Sequence, residues 1–169
     1  MKQLFALVLC IVMVSCARKN EKELLTEAQA AVEQKNFQLA IGRYAEVVER
    51  FPTSSAAETS QYRIAVIYNN DMHDHLNAIK NYRRFIALFP SSKEAPVALF
   101  LTGFLFNNEL HQLDSARATY ELFISKYPEH ELASSAEFEL ETLGKDPGLY
   151  LGRGVTTTDE MKKKKSSQQ

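Results

Sequence analysis

Proline and glycine are scarce in this chain, five and six among 169 residues, and long stretches contain neither. Each interrupts regular helix, so their scarcity favours an all-helical body. Cysteine is scarcer still. Cys10 and Cys16 both lie near the N-terminus, which leaves the rest of the chain without thiols for a disulfide framework or a cysteine metal site. There is no basic surplus, and a formal net charge of −1 argues against a nucleic-acid binder. Enzyme signatures are missing as well: His-Glu-x-x-His, a phosphate-cradling glycine loop and a nucleophile elbow are not found. Neither catalysis nor a cofactor is expected. What remains is ordinary globular composition, 45% hydrophobic and 24% charged, and enough chain for one domain.

The N-terminus reads as an export signal. Met1-Lys2 is a short positive region, residues 4–14 are apolar, and Val14-Ser15-Cys16 closes the run. Such a run falls short of the roughly 20 residues a spanning helix needs. Leu9 before Cys10 is too bulky for a cleavage site. Val14-Ser15-Cys16 resembles the lipobox of bacterial lipoproteins, with Met13 where that motif prefers Leu. The resemblance implies a signal peptide over 1–15, acylation of Cys16 and a lipidated linker over 16–20. An ordinary cleaved signal and an uncleaved anchor are the alternatives. Several acyl chains would anchor firmly, at about 0.8 kcal/mol per buried methylene. Ala17 stands where Asp marks inner-membrane retention in such lipoproteins, which implies the outer membrane, periplasmic face.

The C-terminal residues 145–169 read as a flexible basic tail. They hold six Lys or Arg against three Asp or Glu, whereas residues 17–144 hold thirteen against eighteen. The lysine run at 162–165 has two readings, an anionic-surface contact or a solvated tail, and the second is preferred.

Between the ends a signature returns at a fixed interval: Phe51-Pro52, Phe89-Pro90 and Tyr127-Pro128. Ala40, Ala78 and Ala116 keep the same 38-residue interval, and so do Tyr44, Tyr82 and Tyr120. A fixed period of this length means stacked copies of one small unit. Apolar spacing predicts helices near 20–34, 37–50, 55–70, 75–88, 93–108, 113–126 and 131–143. Proline stops the second helix of each pair. Ser55-x-x-Glu58 and Ser91-x-x-Glu94 are candidate capping boxes, and Pro96 is expected in a first helical turn. Ala40, Tyr44, Val47, Val48 and Phe51 share one helical stripe, matched in the next copies by Ala78, Tyr82, Phe85, Ile86, Phe89 and by Ala116, Tyr120, Phe123, Ile124, Tyr127. A small residue one turn before an aromatic one is packing chemistry.

The small residue, the aromatic four positions on and the proline eight further resemble the tetratricopeptide repeat: Ala40, Tyr44, Pro52, then Ala78, Tyr82, Pro90, then Ala116, Tyr120, Pro128. Phe37, His75 and Leu113 match at the inter-helix turn, and the small residue of the first helices falls at Ala28, Val66 and Phe104. The resemblance covers about residues 21–143 and implies a repeat domain over 21–144. It implies an all-α, right-handed superhelix of about three helix pairs plus a C-terminal capping helix, with the first helices lining a concave groove. The common period is about 34 residues, so each copy here is longer by about one helical turn, placed at the start of the following helix. The Phe-Pro-x-Ser linkers behind a lipobox resemble the barrel-assembly outer-membrane lipoproteins of the BamD type. That resemblance implies an outer-membrane assembly complex as the partner. The periplasmic Tol–Pal coordinator of envelope constriction has similar repeats and is the alternative.

Phasing the chain on its repeat places Leu25, Arg63 and Leu101 at one groove position, and Gln29, Ile67 and Leu105 at the next. Val32, Asn70 and Asn108 follow. The repeated Asn70 and Asn108 offer amides suited to an extended peptide backbone, or simply end a helix. The cluster Asp71-Met72-His73-Asp74-His75 contains metal-ligating residue types, but it falls at an inter-helix turn where His75 replaces Phe37 and Leu113. Packing is the preferred reading, and a metal-dependent enzyme is the competing one. The last helix either caps the stack or exposes Phe138 and Leu140 to a partner.

Overall fold

A computed structural model describes residues 18–145. The expected signal peptide over 1–15, the expected acylation site Cys16 and the expected tail beyond Lys145 lie outside the described residues. Within them seven α-helices follow one another: α1 (Glu21–Glu33), α2 (Phe37–Arg50), α3 (Ser55–Val66), α4 (His75–Leu88), α5 (Ala95–Phe104), α6 (Leu113–Lys126) and α7 (Ala133–Thr142). No strand occurs among the described residues, and each helix packs on the next, which gives three helix pairs and a last single helix. The fold is all-α, as the repeat resemblance implied. α3 and α5 each continue into a short π-helical turn, Ile67–Asp71 and Leu105–Glu109.

The second helices begin at Phe37, His75 and Leu113, in step with the repeat. They stop in one conformation, with φ of −131°, −129° and −134° at Phe51, Phe89 and Tyr127. The proline that follows each of them excludes α geometry there, so the repeated dipeptide is a repeated helix stop. Neither expected box forms: Ser54 caps α3, while the side-chain bonds ahead of α5 and α7 lie in the turns before those helices, which have no side-chain cap of their own. Ser54 Oγ, not Ser55, accepts from Ala57 N at 3.0 Å. Ser92 Oγ, not Ser91, accepts from Glu94 N at 3.1 Å. His130 does the same in the third copy, its Nδ1 accepting from Leu132 N at 3.1 Å. The capping box that forms is at α1, between Asn20 and Glu23. Residues 93–94 and 131–132, expected as helix, belong to turns, and Pro96 sits in the first turn of α5.

The first helices depart from the 38-residue phase. Their small buried residues are Ala28, Ala65 and Gly103, while Val66 is half-buried and Phe104 is exposed. The spacing from Ala28 to Ala65 is therefore one short. The turn residues restore it: Lys35, His73 and His111 all take positive φ, at 57°, 52° and 51°. Copies two and three have one more residue than copy one between the small residue and this turn. A π-helical turn holds one residue more than the α-helical path it replaces, and both π turns lie in that interval.

The core follows from this register. Tyr82, Phe85, Tyr120 and Phe123 are almost fully buried. Tyr62 packs edge-on against Tyr82 and Phe85 at 5.8 and 5.2 Å; Phe100 lies tilted against Tyr120 at 5.7 Å and edge-on to Phe123 at 6.0 Å. Such contacts add about 0.5–1.5 kcal/mol to the burial itself. In the second and third units a first-helix ring is thus set against two second-helix rings.

Candidate protein-binding groove

The first helices present two clefts that share a wall. One, of 230 Å³, lies among Gln29, Val32 and Glu33 of α1, Tyr44 of α2, Arg63 and Val66 of α3, and Ile67 and Asp71 of the first π turn. The other, of 490 Å³, lies among Glu58, Thr59, Tyr62 and Arg63 of α3, Phe85 of α4, and Lys93 and Glu94 before α5. Arg63 belongs to both.

Its surroundings define the chemistry. Burial pushes the Tyr44 phenol above its ordinary range, and the Arg63 charge opposes that rise. Burial also raises the Tyr62 phenol, as does the Glu94 carboxylate, and Arg63 again opposes. Arg63 thus stands between two phenols that stay neutral at physiological pH. It is exposed, and no carboxylate among the described residues closes an ion pair with it. Glu33 and Asp71 line one cleft and Glu58 and Glu94 the other. A guanidinium centred between apolar floors and flanked by acids can hold a partner carboxylate, while the flanks take backbone or basic groups.

The expected groove residues divide. Gln29, Arg63 and Ile67 come together in the smaller cleft. Leu25 and Leu101 are half-buried and pack against the core clusters. Ile67 and Leu105 are only 3% and 2% exposed, and Ile67 still lines the smaller cleft. They belong to the core, Ile67 as cleft floor, because the strict 38-residue phase slips by one before the π turns. Asn70 and Asn108 are exposed but already engaged. Asn70 Oδ1 accepts from Asn69 Nδ2 at 2.8 Å, and Asn108 Nδ2 donates to Phe104 O at 3.1 Å. Their neighbours turn inward instead: Asn69 Oδ1 lies 3.3 Å from His75 Nδ1, and Asn107 Nδ2 donates to Glu139 Oε2 at 3.2 Å. Tyr44, Tyr62 and Glu94 were missed. The signal that finds Tyr62 is the shortened spacing from Ala28 to Ala65, which aligns it with Leu25.

The histidine turn is occupied by structural work. Asp74 caps α4, accepting from Asn77 N at 3.1 Å and from Asn77 Nδ2 at 2.7 Å, and these bonds hold its carboxyl below its ordinary value. His75 bridges two units, with Nδ1 towards Asn69 and Nε2 3.4 Å from Glu109. Among the described residues, no group of three or more His, Cys, Asp or Glu gathers as a metal site would require.

The stack begins almost at the expected anchor. The Lys19 carbonyl accepts from Arg50 Nη2 at 2.7 Å, and the Lys19 ammonium pairs with Glu27, which also takes Arg43 Nε at 2.7 Å. No helix among the described residues is long and apolar enough to cross a membrane.

No curated protein matches the chain. One protein family, described as YfiO, outer membrane lipoprotein, matches residues 17–146, which takes in all seven helices and the two clefts. This match covers well over half of the sequence, and the chain belongs to the YfiO family of outer membrane lipoproteins.

Proposed function

We propose that this lipoprotein is a non-enzymatic scaffold that holds a segment of a partner protein in the cleft pair around Arg63, within an outer-membrane barrel-protein assembly complex. Membership of the outer membrane lipoprotein family supports the envelope setting. Acylation of Cys16 would tether the stack to the membrane within a few residues of α1. The observation that carries the binding role is Arg63 itself, shared by two clefts, exposed, and free of an ion pair among the described residues. An extended segment laid along the first helices meets its charge midway.

The test is in-cell photo-cross-linking from Gln29 and Thr59, one in each cleft, against a control at Arg117 of α6. Partner capture from the two cleft positions, with loss of outer-membrane barrel proteins on depletion, is the expected result. Capture from Arg117 alone would refute the cleft as the binding site, and unchanged barrel levels would refute the assembly role. Labelled-palmitate incorporation that is lost in Cys16→Ala and kept in Cys10→Ala tests the anchor separately.

A further inference from the structure

Helices α3, α5 and α7 keep one register. Ala57, Ala95 and Ala133 are buried at 38-residue steps, and so are Ser60, Ala98 and Ala136. Arg63, which lines both clefts, therefore has its counterparts at Leu101 in α5 and Glu139 in α7. Each of the three stands 19 residues after the buried tyrosine of the preceding second helix, Tyr44, Tyr82 or Tyr120. The first helices thus carry a cation, an apolar side chain and an anion at one repeated position, in that order.

The two ends are built alike. Arg63 of α3 shares its smaller cleft with Val32 of α1 and Tyr44 of α2. Glu139 of α7 is flanked by Asn107 of the second π turn, whose Nδ2 donates to Oε2 at 3.2 Å, and by Tyr120 of α6. The Tyr120 hydroxyl is buried and makes no hydrogen bond. Burial raises this phenol, and the Glu139 charge beside it raises it further. Asn107 and Tyr120 are both neutral, so they orient the carboxylate without cancelling its charge. Between the ends, half-buried Leu101 packs on the core cluster that contains Tyr82. Packed helices lie about 8–10 Å apart, so two such steps from α3 to α7 come to about 20 Å. An extended segment covers that distance with about six residues.

We propose that the first helices select an extended partner segment by its charge order: an acidic side chain at Arg63, an aliphatic one on Leu101 and a lysine or arginine at Glu139, with acid and base about six residues apart. The proposal rests on the clefts around Arg63 being the partner site, and it adds the sequence pattern that the site accepts. Opposite charges at the two ends fix the register of the segment, because a shift of one unit brings a charged side chain onto Leu101.

Thr59 lines the larger cleft, and exposed Ser135 of α7 is its counterpart two units on. Photo-cross-linkers at these two positions of the full-length lipoprotein are compared in cells, and the captured peptides are sequenced by mass spectrometry. One segment of one partner is expected from both, with an Asp or Glu near the Thr59 cross-link and a Lys or Arg about six residues away near the Ser135 cross-link. That segment, synthesised with its basic residue changed to Glu, should bind the native chain several-fold more weakly and recover affinity with Glu139→Lys. No capture from Thr59 would refute the cleft site and the charge order together. Capture from Thr59 without the same segment at Ser135, a segment lacking this charge order, or no recovery with Glu139→Lys overturns the charge order and leaves the cleft site standing.

Discussion

The ring of Tyr120 rests on the backbone of Gly103. A Cβ at Gly103 would stand 2.8 Å from Tyr120 Cε1 and 3.0 Å from Cδ1. The ring has no room to retreat, because Phe100 and Phe123 lie beside it and it is fully buried. Ala65 and Ala28 keep the same register in the earlier copies. Gly103→Ala gains about 1 kcal/mol of helix propensity but overpacks a closed site, at a cost of about 1–3 kcal/mol. A lower midpoint of thermal unfolding is expected, and a raised one would show that the ring can move aside.

Lys35, His73 and His111 hold left-handed backbone without being glycine. The conformation costs an L-residue roughly 1–2 kcal/mol, partly offset by the extra freedom glycine brings to the unfolded chain. His73→Gly and His111→Gly should each raise stability by about 0.5–1 kcal/mol in urea unfolding. Gly144→Ala is the converse, with φ at 74° and a Cβ 3.0 Å from Leu113 Cδ1. It should destabilise by about 1 kcal/mol or more.

Gln61 occupies the core position that Leu24 and Leu99 fill in the neighbouring units. Its Nε2 donates to Asn81 O and Oδ1 at 3.2 and 3.1 Å, while its buried Oε1 has no partner. Gln61→Leu removes that orphaned acceptor, and half-buried Asn81 can turn to water. A gain of about 1 kcal/mol is expected in denaturant unfolding. A loss of that size would mean that the bonds to Asn81 outweigh the orphan.

Glu27 joins the segment before α1 to α2 through Lys19 and Arg43. The Lys19 hydrogen bond and charge, with Arg43, hold its carboxyl below the ordinary value of 4.5. A carboxylate with a depressed folded pKa contributes stability that is complete above its unfolded value and lost as pH falls through the folded one. The stability difference between the native chain and Glu27→Gln should therefore be constant above about pH 5, shrink below 4.5 and fall with added salt. A difference that persists in strong acid would assign the effect of Gln to packing.

The second helices were legible because their marks are local. A proline after Phe51, Phe89 and Tyr127 fixes where each ends, and Asn36 and Asp74 cap α2 and α4 through their side chains. The first helices were not. A π turn adds one residue with no change in composition, so the 38-residue phase carried straight through it and named Asn70 and Asn108 where Asn69 and Asn107 face inward. Arg63, placed on that uncorrected phase, is exposed and lines both clefts. Tyr44 was legible only as core, since a residue buried from one side and lining a cleft from the other has no separate sequence mark.

Arg63 allows binding and folding to be separated. It is exposed and has no ion-pair partner among the described residues, so Arg63→Ala should change stability by less than about 0.5 kcal/mol. A charge-assisted bond to a partner carboxylate contributes about 1.5–3 kcal/mol, equivalent to a loss of roughly ten-fold or more in affinity. Arg63→Lys keeps the charge and loses the planar fork, so it should fall between the two. Purified proteins compared by calorimetric titration with the captured partner, and by thermal unfolding alone, give both numbers. Unchanged affinity in Arg63→Ala would move the binding site off the shared wall, and a large drop in stability would make Arg63 a structural residue.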